Sequence, residues 1–477
     1  MSAEQSTEYL SPRALRQHFD LPECGREICD PATQEIVGWA PQPDAKDVDQ
    51  AVSVARNAQK KWAERAGSER CDILMQIADA IEQQAESLAQ LLSREQGKPL
   101  NGPNARFEVQ ACIDWLRATA SFKLEPETLF DDDSGKAVMY YRPVGVVGAI
   151  GPWNWPMMIS IWQIAPSLRM GNAVVLKPSE YTPLSVLALA HVINSVLPEG
   201  LLQVVAGERE VGEAISTHSG IDKIMFTGST QTGKAIIKAA ASTLKLTTME
   251  LGGNDPGIVL DDANPTAIAA DLFWGAFINT GQTCACLKRL YVHDSIYEDV
   301  CEELKRFAQT IPMGPGLNES NLLGPLQNAQ QLNIVKRLVE AAKDSGARVL
   351  MGGELPQDNQ AGYFYPTTLV ADIDNNNPLV TEEQFGPVLP IIRYHTLDQA
   401  IEWANSLPVG LGSSVWTPDP ERAQAVAQQL EAGTTWINKH GQVDPRMPFG
   451  GIKQSGQGVE FGIEGLKQVA LQHVIHH

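Results

Sequence analysis

The chain has 477 residues, 43% of them hydrophobic and 20% charged, the profile of a globular protein long enough for two or more domains. A net charge of −20 leaves no basic face for a phosphate backbone and excludes nucleic-acid binding as the main task. No apolar run approaches the ~20 residues of a membrane span, and the polar start MSAEQSTEYLSPRALRQHFD has no signal-peptide core, so a cytoplasmic protein is expected.

In chain order, residues 44–64 and 68–96 read as amphipathic helices. The second opens after Ser68 and repeats apolar residues at Ile73, Leu74, Ile77, Ile81, Leu88, Leu91 and Leu92. From about residue 144, short β-branched runs alternate with helices. Strands are expected at 144–150, 173–176, 202–205, 223–226 and 247–251, with helices near 157–170, 182–196, 209–217 and 230–242. That alternation predicts a parallel, doubly wound sheet. A second series runs from about 255 to 450, with strands expected at 257–260, 348–351, 413–416 and 434–437. Two α/β domains in series account for both.

The cysteines at 24, 29, 71, 112, 284, 286 and 301 are scattered and odd in number, which suits reduced thiols better than a disulfide framework. The histidines are equally dispersed, with none in a metal-ligand spacing, and His476–His477 stand at a chain end where fraying is usual. No metal is expected.

Four stretches carry candidate chemistry. GSTQTGK (228–234) comes within one residue of a triphosphate loop, but Ala235 lacks the hydroxyl that such a loop uses to hold Mg²⁺. A helix starting just after Gly228, at the carboxyl end of a strand, offers free N–H groups and a positive dipole end to a phosphate. A dinucleotide phosphate site and a plain turn both remain open. FINTGQTCACLKR (277–289) places Cys284 at a turn near backbone N–H groups, where a thiol can have a lowered pKa and act as a nucleophile, or be a small buried hydrophobe. Cys286 is either an ordinary neighbour or a redox partner. TMELGGNDP (248–256) sets Glu250 at the end of an apolar strand, where its pKa should rise toward general-base range unless it is salt-bridged. VGAIGPWNWPMM (147–158) holds Asn154 between two tryptophans, as an oxyanion donor or a turn residue.

PWNWP, GNAVVLKPSE, FTGSTQTGK, ELGGNDP, GQTCACLKR, EEQFGPVLP and PFGGIKQSG follow one another over residues 152–456. In that order they resemble the NAD(P)-dependent aldehyde dehydrogenase superfamily, and the resemblance spans essentially the whole chain. It implies an α/β fold with doubly wound parallel sheets in two Rossmann-like domains plus a small β oligomerisation element. The dinucleotide-binding domain would comprise 1–124 and 144–252, the catalytic domain 253–454, and the oligomerisation element 125–143 and 455–477. A homodimer or homotetramer is implied, with 125–143 and 467–475 as pairing elements.

The resemblance also implies oxidation of an aldehyde to the acid with NAD, NADP being possible, through a thiohemiacetal and a thioester. Cys284 would attack the aldehyde carbon, Asn154 and the Cys284 N–H would hold the oxyanion, and Glu250 would activate water. Glu460 would join a proton relay. The family commonly has lysine at position 163, where this chain has Gln163, and at position 254, where it has Asn254. In the cofactor site, Lys177, Ser179 and Glu180 would meet the adenosine ribose. Trp153 and Ser229 would lie by the pyrophosphate within the cradle from Gly228 to Gly233. Glu383 would meet the nicotinamide ribose and Phe385 the ring. GSTQTGK then reads as a dinucleotide phosphate cradle.

Trp155, Met157, Met158, Trp162 and Phe449 would line the substrate entry, suiting an apolar or aromatic aldehyde. Lys439, His440 and Arg446 on a late loop would either face the mouth and attract an acidic aldehyde or be merely solvated. Three rivals are weighed against this reading. A CoA-acylating enzyme typically lacks the glutamate at 250, a cysteine hydrolase needs a histidine near these motifs, and a structural relative would be expected to lose Cys284 or Glu250.

Overall fold

The computed structural model describes residues 9–355 and 361–477, so the first eight residues of the polar start lie outside it. Helix α1 (Ala45–Glu64) opens on a capping box, in which Asp44 accepts from the N–H groups of Lys46 and Asp47 and the Asp47 carboxylate returns to the Asp44 N–H. The helix expected over 68–96 is two helices, α2 (Gly67–Gln83) and α3 (Ala85–Gln96). Gln84 leaves helical geometry at φ −108°, ψ 8°. The break re-aims the second half while Leu74, Ile77, Ile81, Leu88, Leu91 and Leu92 all stay buried in one core. Helix α4 (Ala105–Ser121) packs on α2 and on the later helix Pro156–Arg169.

Strands β1 (Glu127–Asp132) and β2 (Gly135–Pro143) form a hairpin, and the chain then enters the first large sheet. Its elements are β3 (Val146–Ile150), α5 (Pro156–Arg169), β4 (Ala173–Lys177), α6 (Pro183–Asn194), β5 (Leu202–Val204), α7 (Arg209–Thr217), β6 (Lys223–Thr227), α8 (Thr230–Ala240) and β7 (Leu246–Glu250). The parallel order is β7-β6-β3-β4-β5. Every residue of β3, β4 and β6 is buried, as expected for strands covered by helices on both faces. Because the chain leaves β3 for β4 on one side and reaches β6 on the other, the topological switch lies between β3 and β6. Their carboxyl ends carry the PWNWP and GSTQTGK loops.

The second sheet contains β8 (Asp255–Val259), β9 (Leu287–His293), β10 (Arg348–Met351), β11 (Thr368–Ala371), β12 (Val388–Tyr394), β13 (Gly412–Trp416) and β14 (Thr434–Ile437). Helix α9 (Pro265–Phe277) connects the first two. The order is β10-β11-β12-β9-β8-β13-β14, parallel except at β10, which runs antiparallel to β11 at the edge. Alternation sends Ile258, Tyr291, Ile392 and Val415 to one core and Val259, Leu290, Ile391 and Trp416 to the other, so this sheet too is buried on both faces.

The final strand, β16 (Ala470–His476), pairs with β2 from Ala470↔Pro143 to His476↔Ala137, giving a three-stranded antiparallel sheet. Gly456 and Gln457 (β15), assigned by sequence to this element, pair instead with β7, Gly456 opposite Glu250. No helix among the described residues is long and apolar enough to cross a membrane. The resulting geometry brings the carboxyl ends of the first sheet to the amino ends of β8 and β9, and the chemistry-bearing stretches gather at that junction.

Candidate active site

Cys284 stands three residues before β9, on a turn that the sequence could form only under constraint. Asn279 and Thr280 adopt left-handed φ of 50° and 59°, a conformation that costs a side-chain-bearing residue roughly 1–2 kcal/mol. Gly281 comes next at φ 74°, and a Cβ there would lie 2.1 Å from the Gly386 carbonyl oxygen, so only glycine fits. Gln282 ties the turn down by donating to the Asn279 and Pro325 carbonyls and accepting from the Gln327 N–H at 2.9 Å.

The PWNWP loop docks directly on this turn. Asn154 Nδ2 donates to the Gln282 carbonyl at 2.9 Å, and Trp155 Nε1 donates to Thr283 Oγ1 at 2.8 Å. An amide carries two N–H bonds, so one donor of Asn154 is left over. Its backbone carbonyl accepts from Asn279 Nδ2 at 2.8 Å and from Lys98 Nζ at 2.8 Å.

Lys98 and Glu108 form a wholly buried ion pair at 2.6 Å, and the other Glu108 oxygen accepts from the N–H groups of Met157 and Met158 at the start of α5. The Lys98 ammonium also sits 3.6 Å from the centre of the Trp155 ring. Burial pushes Lys98 down to about 8 against the pull of Glu108. Lys98→Met leaves Glu108 buried without its partner and is expected to cost about 3–5 kcal/mol, measured by urea unfolding. An unchanged unfolding midpoint would show that the pair is not holding this loop.

Of the two readings open for Cys284, a lowered thiol or a buried one, its surroundings favour the protonated form. Burial pushes the thiol up to about 12; Lys288 pulls it down, and Glu250, Asp255 and Glu383 push it up. Cys286 is buried and pushed up to about 11 by the same cause, its thiol 3.9 Å from the Ile278 carbonyl oxygen. All seven cysteines are free.

Glu250, at the carboxyl end of β7, is buried with neither oxygen hydrogen-bonded to protein. Burial, with a smaller push from Glu460, holds it well above the usual carboxylate range, in the direction its apolar setting predicts. Glu460 pairs through its backbone with Phe449 and is buried. Burial raises its carboxyl to about 8 against the opposing charge of Lys223. Lys223, buried at the start of β6, is lowered to about 8 by burial and held up by Glu460. The cation facing Glu460 therefore comes from β6. Gln163 is buried, with Nε2 3.5 Å from the Ile150 carbonyl and from Thr227 Oγ1.

The phosphate-cradle residues divide. Ser229 caps α8, its Oγ accepting from the Thr232 N–H, and the first turn of the helix opens beside it. Lys234 bonds to Gln454 Oε1 at 2.8 Å. Gly228 and Gly233 are closely packed: a Cβ would meet the Phe226 ring at 2.5 Å and the Leu251 side chain at 2.5 Å respectively, and those side chains would have to shift. Trp153 meets Phe385 edge-on at 5.4 Å. Glu383 Oε1 pairs with Lys288 at 3.1 Å, and its Oε2 leaves no room for a side chain at Gly252. Ser179 is buried, and its Oγ accepts from the Tyr181 N–H. Lys177 Nζ lies 3.6 Å from Glu180, whose carbonyl accepts from Arg26, a residue with no signal in the sequence. A helix start, an aromatic pair and the carboxylates of Glu180 and Glu383 offer the kinds of group that suit a dinucleotide.

Among the expected entry residues, Met157 is sealed in the core at 0% exposure and cannot line a mouth, because Glu108 pins its backbone at the start of α5. Trp155 is committed to Thr283 and Lys98. Trp162 and Phe449 pack with Trp115 and Phe461, two aromatics that sequence patterning does not single out, and Met158 is buried beside them in the same core. His440 is buried too, bonded to Ser414 and 3.6 Å from Asp255, so it does not face a mouth. Arg446 is neutralised by two hydrogen bonds from its guanidinium to Asp444, at the wall of a cavity of about 280 Å³ that Trp436, Met447 and Phe449 also line. Asn254 donates to the Val380 carbonyl at 2.9 Å, a structural tie to the segment before Glu383.

Residues 22–474 match the model of the aldehyde dehydrogenase family. The chain is similar to aldehyde dehydrogenase LUC3 of Fusarium sp, 38% identical over 92% of each chain. Among solved structures it is similar to lactaldehyde dehydrogenase from Escherichia coli, 32% identical over 96% of each chain with a TM-score of 0.92. It is similar as well to the NAD+ complex of an aldehyde dehydrogenase from Bacillus cereus, 36% identical over 94% of this chain and 92% of that one with a TM-score of 0.90.

Proposed function

The chain belongs to the aldehyde dehydrogenase family, and from that premise we propose that it oxidises an aldehyde to the carboxylic acid with NAD, by covalent catalysis on Cys284. The observation that carries the assignment of roles is the docking of Asn154 onto the Cys284 turn beside an unpartnered, buried Glu250. Cys284 Sγ, as the thiolate left when its proton passes to water, adds to the aldehyde carbon, and the carbonyl π pair becomes the oxyanion received by the free N–H of Asn154 and the Cys284 backbone N–H. NAD, when bound, accepts the hydride. Glu250 then takes a proton from water, which cleaves the thioester. Glu460 and Lys223 face each other behind Glu250 and are the groups available to pass that proton outward.

Trp153, Lys177, Ser179, Glu180, Ser229, Glu383 and Phe385 would hold the cofactor, with Gly228 and Gly233 shaping the backbone beneath it. Phe449, Trp162 and Met158 make the substrate end apolar. With Arg446 paired and His440 buried, Lys439 is the remaining exposed cation of that loop, and the apolar lining favours a neutral aldehyde over an acidic one. We also propose a cytoplasmic homodimer or homotetramer, supported by exposed Leu471, Val474 and Ile475 on the edge strand β16. Mixing the purified protein with NAD and a panel of matched neutral and carboxylate-bearing aldehydes, and following reduced-cofactor absorbance, tests the reaction and the substrate class together. No reduction with any member would reject the assignment.

A carboxylate at Glu180 can accept from both ribose hydroxyls and repels a 2′-phosphate, so NAD is expected over NADP. Lys177 and Arg26 lie close enough to soften that repulsion. Glu180→Gln should narrow the preference, read as the ratio of kcat/KM for the two cofactors. A ratio of one or below in the unmodified protein rejects this prediction.

A further inference from the structure

We propose that Lys288 is a positioning residue that locks the turn bearing Cys284 to the carboxylate of Glu383 and supplies the buried positive charge at the nucleophile. The inference rests on the reading of Cys284 as the nucleophile and of Glu383 as a cofactor-binding carboxylate.

The backbone aims Lys288 here by an irregularity. Where β9 pairs with β8, Asp255 lies opposite Leu287 and Pro256 opposite Arg289, so Lys288 is an extra residue in the ladder. A bulge of this kind re-aims one side chain, and bulges collect beside active sites. The Lys288 side chain is 2% exposed. An ammonium has three donors; two of them reach the Thr283 carbonyl at 2.6 Å and the Cys284 carbonyl at 2.9 Å, and Glu383 Oε1 lies 3.1 Å from the nitrogen as an ion pair. The Phe385 ring centre is 5.3 Å away. One side chain thus touches both the backbone of the nucleophile turn and the Gln384-flanking segment that carries Glu383 and Phe385.

The charge balance points the same way. Burial works to discharge Lys288, but the neighbouring acidic groups, Glu383 first, hold it above its ordinary value. The charged groups facing Cys284 are Glu250 from β7, Asp255 from β8, Glu383 and Lys288; His440 faces Asp255 from behind. Of these, the three carboxylates oppose a thiolate and Lys288 alone favours one. A residue serving only to fix the turn could be any donor of the right reach; a residue serving the thiolate must keep its charge.

The test is the pH dependence of Cys284 alkylation by iodoacetamide in the full-length protein without cofactor, read from the fragment masses of the peptide that carries Cys284 and Cys286, which separate the two thiols. Lys288→Met removes the charge at similar length and is expected to move the rate curve to higher pH. A curve displaced by about one pH unit corresponds to alkylation about tenfold slower at a fixed pH. Lys288→Arg should bring the curve most of the way back, and Glu383→Gln should move it to lower pH by removing an opposing carboxylate. A Lys288→Met curve that overlays the unmodified protein overturns the proposal, as does a Lys288→Arg curve no different from Lys288→Met. If Lys288→Met does not fold, Glu383→Gln decides: a curve unmoved or displaced upward overturns it. The readout is independent of turnover, so an active Cys284→Ala variant would reject the nucleophile assignment without altering this result.

Discussion

Cys284→Ala is expected to abolish aldehyde oxidation while leaving cofactor binding intact, a loss on the order of 10⁶ in kcat if it matches removal of other covalent nucleophiles. The physical basis is the turn. Asn279, Thr280 and Gly281 hold positive φ, and Gln282, Asn154 and Trp155 fasten the rest of the loop. Removing one sulfur disturbs none of those bonds, so the variant should fold and bind as before. The nearby Cys286 is the internal control: it is buried, and its thiol points at the Ile278 carbonyl. Cys286→Ala should therefore keep most of the activity. The assignment fails if Cys284→Ala turns over normally, or if the two variants exchange phenotypes. Because burial pushes the Cys284 thiol up to about 12, the thiolate fraction of the ligand-free protein grows with each step in pH across the neutral and alkaline range. Alkylation of Cys284 should rise with it.

The residues proposed to touch the reacting atoms are the most legible, because each is marked by local chemistry. Cys284 lies just past a glycine at a turn, Glu250 ends an apolar strand before two glycines, and Asn154 sits between tryptophans. What stayed hidden is the layer that holds them. Lys98 and Glu108 are ten residues apart in a stretch that the sequence motifs leave unassigned, and only tertiary packing drives both to full burial. Lys223 and Lys288 did leave a signal: each stands in an apolar strand, DKIMF and CLKRLYV, where a charge is costly without a partner. The same disguise hid strands of the second sheet. In β9 the pair Lys288–Arg289 breaks the apolar run, yet Arg289 is satisfied by the carbonyls of Asn254, Trp403 and Ala404. In β12 Pro390 argues against a central strand, although it sits in register with Val370. At the helix pair 67–96 the periodicity carried straight through Gln84, because both halves bury the same kind of face. Periodicity reports which side is buried, and a change of axis leaves it intact.

Glu250→Gln is expected to separate the two halves of the reaction, since acylation needs Cys284 and the oxyanion donors but the thioester waits for water that has lost a proton. The amide keeps the shape of the side chain and removes its basicity, and losing a general base typically costs ~10²–10⁴ in rate. The variant should release about one reduced cofactor per active subunit in a rapid burst and then nearly stall. Intact-protein mass spectrometry should show the acyl group retained on the chain and absent from Cys284→Ala. The pH profile adds an independent check on sign. Burial and the neighbouring Glu460 hold the Glu250 carboxyl well above its ordinary range, so the basic form gains population as pH rises and hydrolysis in the unmodified enzyme should accelerate toward alkaline pH. Glu250→Gln has no such group to titrate, so that limb should flatten. Two results would count against the hydrolytic role: steady turnover undiminished in the variant, or an unmodified enzyme that turns over only when CoA is supplied. The second would mean that the acyl group leaves to a thiol, and that the buried carboxylate at the end of β7 serves the fold rather than the water.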